Sequence, residues 1–217
     1  MYATGKKNKN LALFDFDGTL CKKDSFTGFI FYALSKRHIV KQGIKILPWI
    51  QAYYLNVYSA PAMRSKLFRA MFSNANALEL QQMAQEYAVN LMNQLNQPLL
   101  KQLKQHQALG DDVVLVSASV DVYLKPVCEL LNIDLICTHT EQVNNIYTGQ
   151  YTTPDCSSEQ KRQRILEKYH LTDYAVIYAY GNSHEDKEML AMAHYAYMVG
   201  INETIPALPK KIQQIAI

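Results

Sequence analysis

Short apolar runs and helix-period stretches alternate at both ends of the chain, while the middle keeps helical spacing only. Leu11-Ala12-Leu13-Phe14 reads as a buried strand. Val113-Val114-Leu115-Val116 repeats that signature between Gly110 and Ser117. Residues 133–137, 175–180 and 195–199 predict three more strands. Between them, residues 99–108, 122–131, 158–169 and 185–194 read as helices. Gly110 is placed to end the first of these, Ser158 to cap the third, and Pro126 to bend the second or mark its first turn. Residues 141–153, with Asn144-Asn145 and Gly149, predict a β-hairpin. Strands alternating with helices imply an α/β fold, its parallel sheet joined by right-handed crossovers.

Residues 24–98 break this rhythm. Phe26, Phe29, Ile30 and Ala33 recur at helical spacing, as do Leu78, Met83, Tyr87, Leu91 and Leu95. Pro48 and Pro61 are expected to divide the stretch into separate helices. The chain therefore divides into an α/β core, residues 1–23 and 99–217, and an all-helical insert, residues 24–98. The insert enters directly after the first strand, where a lid over the strand ends would sit.

Composition narrows the function. The chain has 217 residues, 49% of them apolar, enough for a sizeable core. Its net charge of +3 is too mild to make nucleic acid a main partner. Cys21, Cys128, Cys137 and Cys156 are scattered, with no zinc or disulfide spacing, and free thiols point to a reducing, cytoplasmic setting. The first ten residues are basic and polar, and the apolar run after them is too short for a signal-peptide core. Residues 39–58 form the most apolar long segment, but Lys41, Lys45 and Pro48 exclude a spanning helix. Trp49, Tyr53, Tyr54 and Tyr58 would suit contact with a membrane surface, although packing within the insert is the favoured reading. Oligomeric state is left open.

The chemistry concentrates at strand ends. Asp15 and Asp17 follow the first strand at i and i+2, so both carboxylates can point at one spot. Two carboxylates that close repel unless a cation lies between them, and a hard divalent ion such as Mg2+ suits oxygen ligands. Gly18 lets the backbone turn sharply, and Thr19 can cap or bond the residues after it. A calcium loop is excluded, because its later ligands are absent. Ser117, after the second strand, offers a hydroxyl that could hold phosphate oxygens with the amides of Ala118 and Ser119; Ser119 is the alternative hydroxyl. Lys161 and Arg162, at the start of the helix after residues 154–158, are the candidates for the cation that clustered carboxylates and a phosphate need. Gly181-Asn182-Ser183-His184-Glu185-Asp186 closes a further strand with polar side chains.

Asp15-Phe16-Asp17-Gly18-Thr19-Leu20 resembles the first motif of the haloacid dehalogenase (HAD) superfamily. Ser117, Lys161 and the Gly181-to-Asp186 segment fall in order where that superfamily has its second, third and fourth motifs. The insert point and Asp24-Ser25-Phe26 are similar to subfamily IB, which includes phosphoserine phosphatase. The resemblance implies a Rossmann-like core with a helical cap inserted after the first strand. It implies a Mg2+-dependent phosphomonoesterase, with Asp15 as nucleophile forming an aspartyl-phosphate, Asp17 as general acid and base, and Lys161 as catalytic cation. Ser117, Ala118, Gly18 and Asp24 would contact phosphate or substrate, Asp24 reading equally as a helix cap. Asp15, Asp17, Asn182 and Asp186 would serve the metal, Asp17 through its carbonyl and Asp186 directly or through water. Asn182 stands where the family carries an aspartate, so the site has one charge fewer; Glu185 could compensate in part. The implied substrate is a small phosphorylated, phosphoserine-like metabolite, with Arg64, Lys66 and Arg69 as candidates for a substrate carboxylate or headgroup. A peripheral enzyme acting on a lipid phosphate of the phosphatidylglycerophosphate type, and a weakened phosphate-binding protein, are the alternatives.

Overall fold

The structure, a computed structural model, describes residues 9–209, so most of the basic start of the chain lies outside the described residues. β1 (Leu11–Phe14) is the central strand of a five-stranded sheet ordered β3–β2–β1–β6–β7. The other strands are β2 (Asp112–Val120), β3 (Asp134–Thr138), β6 (Ile177–Gly181) and β7 (Tyr195–Met198), and every pairing in the sheet is parallel. Ala12 and Phe14 face one hydrophobic layer, Leu11 and Leu13 the other. A parallel strand covered on both faces reads as an unbroken apolar run, which is why residues 11–14 show no alternation.

The chain winds outward from β1 to β3, then crosses to β6 on the other side. This reversal opens a crevice at the carboxyl ends of β1 and β6. Phe14 pairs with both Leu115 and Tyr180, so the residues after each strand emerge at one edge. The Phe14 and Tyr180 rings stack with centroids 4.2 Å apart and fix that register.

The core helices are α5 (Gln97–Leu109), α6 (Asp121–Leu131), α7 (Glu159–Lys168) and α8 (Lys187–Leu190). Gly110 ends α5 in the left-handed conformation, φ 83°, as its position predicts. Pro126 lies in the middle of α6 and not in its first turn. Ser158 occupies the cap position of α7 without a side-chain cap bond; its backbone, at φ 49°, instead donates to the Glu185 carbonyl at 2.9 Å. The helix predicted over 185–194 shrinks to a 3-10 turn, His184–Asp186, and the four-residue α8, because the chain must turn back to pair β7 with β6. The hairpin forms as β4 (Thr140–Val143) and β5 (Ile146–Tyr151), with Asn144 and Asn145 both at positive φ, the turn whose twist matches its strands.

Between β1 and α5 stand α1 (Ser25–Ala33), α2 (Lys36–Tyr54), α3 (Ala60–Phe72) and α4 (Ala77–Met92). Pro61 falls in the first turn of α3, as expected. Pro48 does not break its helix: α2 runs through it. Pro48 and Ile44, whose carbonyl loses its donor, are both exposed, so water can serve that oxygen. In α4 the buried set is Leu80, Ala84, Tyr87, Ala88 and Leu91, while Leu78 and Met83 face outward. The alanines let α4 pack closely on α6. Phe29, Tyr87 and Tyr123 form an aromatic cluster joining cap to core, with Phe29–Tyr123 centroids 5.1 Å apart. Ile39, Ile46, Ile50 and Tyr58 pack the 39–58 segment inward, whereas Val40, Ile44 and Leu47 remain exposed. Among the described residues, no helix is long and apolar enough to cross a membrane.

Asp121 ties α6 to the hairpin. Its Oδ1 accepts from the Thr140 amide at 3.1 Å and the Thr140 hydroxyl at 2.7 Å, and Lys125 and His139 approach Oδ2. Burial pushes its carboxyl up, but the bonds from His139 and Thr140 and the nearby cations outweigh that and hold it below the usual carboxylate range. A lowered folded-state value contributes stability above the unfolded value, lost as pH falls through the folded one. Asp121→Asn should therefore cost about 1 kcal/mol near neutrality. The gap to wild type should close below the ordinary carboxylate range, as measured by urea unfolding at several pH values.

Candidate active site

Asp15 and Asp17 leave the central strand at the crevice, and Gly18 makes the turn with φ 80°. A Cβ on Gly18 would lie 2.1 Å from Asn182 Nδ2, so only glycine lets the first loop touch the last one. Thr19, fully buried, donates its hydroxyl to Asp15 Oδ2 at 2.9 Å and reaches Asn182 Oδ1 at 3.3 Å.

Lys161, in the first turn of α7 and 1% exposed, points inward between two acids. Its Nζ donates to Asp15 Oδ1 at 2.6 Å and to Asp186 Oδ1 at 2.5 Å. Burial pushes the ammonium down, yet the two carboxylates dominate and hold it above the ordinary lysine range. Burial pushes Asp15 up to about 6, with Lys161 opposing and Asp186 reinforcing the rise. For Asp186, Lys161 and the amides of Asn182 and Ser183 overcome burial and hold the group low. Its Oδ2 accepts those amides at 2.9 and 3.0 Å, so both oxygens already have partners. Arg162, the alternative cation, is exposed and pairs with Glu159 at 2.7 Å, away from the site.

Asp17 is gripped from two directions. Oδ1 accepts the Ser25 amide at 2.6 Å, at the start of α1, and Oδ2 accepts the Ser119 hydroxyl at 2.7 Å. Burial raises its carboxyl above the ordinary range, and these donors only partly offset the rise. Ser117 is buried within β2, just before the register against β3 shifts, so the strand runs past the end that the apolar run predicts; its Oγ accepts from the Ser119 amide at 3.1 Å. Ser117 and Ser119 thus divide two tasks that the sequence presented as alternatives. Ala118 lines the cavity, and its carbonyl accepts from the Thr138 hydroxyl at 2.7 Å. Asp24 caps α1 by accepting from the Thr27 amide at 3.0 Å, as one of its two readings has it, and it also lines the cavity.

The cavity, about 530 Å³, lies between these residues and the cap. Arg64, from α3, closes one side. Its guanidinium donates to both oxygens of Asp155 at 2.8 Å and to both of Glu185 at 3.0 and 3.1 Å. Desolvation pushes Arg64 down, and the paired carboxylates more than reverse it. Glu185 is therefore engaged with the cap, and Arg64 directs four of its five N–H groups at protein carboxylates. Lys66 sits over the Trp49 ring at 4.0 Å. Thr19, Ser25 and Asp155 were not legible as site residues, because a lone hydroxyl or acid in a loop carries no periodic signal; Thr19 had only its place after Gly18 to mark it.

Among the described residues, no three His, Cys, Asp or Glu side chains converge as a metal cluster. A cation here would draw on an Asp15 carboxylate oxygen, the Asn182 amide oxygen and the backbone carbonyl of Asp17. That all-oxygen set fits a hard ion such as Mg2+.

Residues 12–191 match the haloacid dehalogenase-like hydrolase family, and the chain belongs to it. Protein CicA of Caulobacter vibrioides is 26% identical over 190 residues, covering 84% of this chain and 82% of that protein. Histidinol-phosphatase of Neisseria meningitidis is 26% identical over 199 residues, covering 85% and 87%. A probable phosphoserine phosphatase from Vibrio cholerae shares the fold, with a TM-score of 0.65 at 16% identity, over 88% of this chain and 55% of that one.

Gly18→Ala should cost about 1–2 kcal/mol through the strained backbone and push Asn182 out of place. Thermal unfolding that matches wild type would refute the close approach of the two loops.

Proposed function

We propose that the chain is a Mg2+-dependent phosphomonoesterase working through a phosphorylated Asp15. The observation that carries the reading is the meeting of Asp15, Asp17, Ser117, Lys161 and Asn182 at one cavity, from three separate strand ends and a helix start. The family, and a relative named histidinol-phosphatase, agree with it.

An Asp15 carboxylate oxygen attacks phosphorus, and the bond from phosphorus to the leaving oxygen breaks. Asp17 gives its proton to that oxygen; a carboxyl raised by burial is suited to hold a proton until then. The Ser25 amide and the Ser119 hydroxyl aim Asp17. Water then attacks phosphorus, Asp17 takes its proton, and inorganic phosphate leaves Asp15 free. Ser117 and the amide of Ala118 hold phosphate oxygens, and Gly18 brings the backbone close. Lys161 offsets the charge on Asp15 and, on leaning toward substrate, on the phosphate. Asp15, Asn182 and the Asp17 carbonyl would hold Mg2+, which when bound neutralises charge on the phosphate. Asp186 positions Lys161 and the Asn182 loop through the bonds that its two oxygens accept.

Asp15→Asn should lower phosphate release from p-nitrophenyl phosphate with Mg2+ by about a thousandfold or more, with the fold intact by circular dichroism. Turnover near wild type would overturn the nucleophile assignment, and turnover unaffected by EDTA would overturn the metal. Restoring a carboxylate with Asn182→Asp should tighten Mg2+ by about tenfold, read by calorimetric titration of the metal alone. An unchanged binding constant would remove Asn182 from the ligand set.

A further inference from the structure

Charge and apolar surface are both unevenly placed on the cap. From Ser25 to Leu78 the sequence carries seven Lys and Arg and no Asp or Glu. The whole chain is only +3, so the remainder is net acidic. Lys36, Arg37, Lys41 and Lys45, all on α2, are exposed, and none makes an ion pair among the described residues.

The same helix has two apolar sides. Ile39, Ile46 and Ile50 face inward. On the other side, Val40, Ile44, Leu47 and Tyr54 recur every three to seven residues and are 60%, 66%, 46% and 77% exposed. Leu55 and Val57, 73% and 80% exposed, carry the stripe past the helix end. Single exposed apolar residues need no explanation, but an aligned stripe marks an interface. An apolar stripe flanked by Lys and Arg, with no acid, fits a helix lying in the plane of an anionic bilayer surface. A second copy fits poorly, since a two-fold contact would set the same cations against each other.

Ile50, Tyr53 and Tyr54 also line the cavity that holds Asp15, so the cavity opens beside the stripe. Arg64 commits four of its five N–H groups to Asp155 and Glu185, so it has no paired donors left to grip a soluble metabolite's carboxylate. We propose that α2 docks the cap on an anionic lipid surface and that the phosphate monoester reaches Asp15 as a lipid headgroup. The substrate part rests on the phosphatase reading above, and the docking part does not. Asp15 attacks phosphorus, the bond to the lipid oxygen breaks as Asp17 gives that oxygen its proton, and water then releases inorganic phosphate from Asp15.

The experiment compares wild type, Lys41→Glu/Lys45→Glu and Ile44→Asp. Sedimentation is measured with phosphatidylcholine vesicles, with and without phosphatidylglycerol. Phosphate release is measured from phosphatidic acid in vesicles, from glycerol 3-phosphate and from p-nitrophenyl phosphate. Wild type should sediment with the anionic vesicles only, less so as salt rises. Both variants should bind about tenfold more weakly or worse and lose lipid turnover while still hydrolysing p-nitrophenyl phosphate. Wild type should also turn over phosphatidic acid at least about tenfold more efficiently than glycerol 3-phosphate. No vesicle binding, equal binding to neutral vesicles, or variants that bind like wild type would overturn the docking surface. Self-association of wild type that Ile44→Asp abolishes would assign the stripe to a second copy and overturn it as well. Docking without a preference for the lipid phosphate would overturn the substrate part. Failure on p-nitrophenyl phosphate would overturn the phosphatase reading separately.

Discussion

Everything at the carboxyl edge of the sheet is arranged around one buried ammonium. Lys161 bridges Asp15, which ends the central strand, and Asp186, which closes the loop after β6. Without it, two carboxylates would lie buried close together with no cation between them, which proteins avoid by protonation or unfolding. The bridge also fixes geometry, since α7, β1 and the β6 loop must meet within hydrogen-bond reach of one nitrogen. Hence Asp186 turns its other oxygen onto the Asn182 and Ser183 amides, and Gly181 is pressed so close that a Cβ there would lie 2.7 Å from the Asp186 side chain.

Asn182 changes the charge at that edge without changing its shape. The cluster holds three carboxylates, Asp15, Asp17 and Asp186, against one ammonium. A fourth carboxylate at position 182 would attract a divalent ion more strongly but would also repel an arriving phosphate dianion. A neutral amide gives up part of the first effect and relieves the second, while its oxygen remains a hard ligand. The Thr19 hydroxyl within 3.3 Å helps orient that amide toward the acids and not away from them.

Much of this was legible in the chain because it depends on local pattern. The apolar runs at 11–14 and 113–116 fixed two strands, and acids or hydroxyls at their ends announced a site. Gly110 and the Asn144-Asn145 pair carried their turns in their own conformational preferences. What was not legible depends on distant neighbours. Pro48 looks like a breaker until one sees that its unpaired carbonyl lies on an exposed side. Leu78 and Met83 look like core residues until Ala84 and Ala88 are found to be what α6 needs for close packing. Ser119 and Ser25 become partners of Asp17 only when three segments meet, and the fork of Arg64 onto Asp155 and Glu185 joins residues 91 and 121 positions apart.

That fork also explains why the cap can have an outward task without loosening the site. Arg64 sits on α3 and grips the core through four hydrogen bonds at the cavity wall, while α2 packs on α3 and carries the exposed stripe. The helix that α2 packs on is thus fastened beside Glu185, one residue from Asp186 and Lys161's bridge. The inner side of α2 shapes the cavity with Ile50 and Tyr53, and its outer side faces away with cations and aliphatics. One helix thus borders both the cavity and the exposed apolar stripe of the cap.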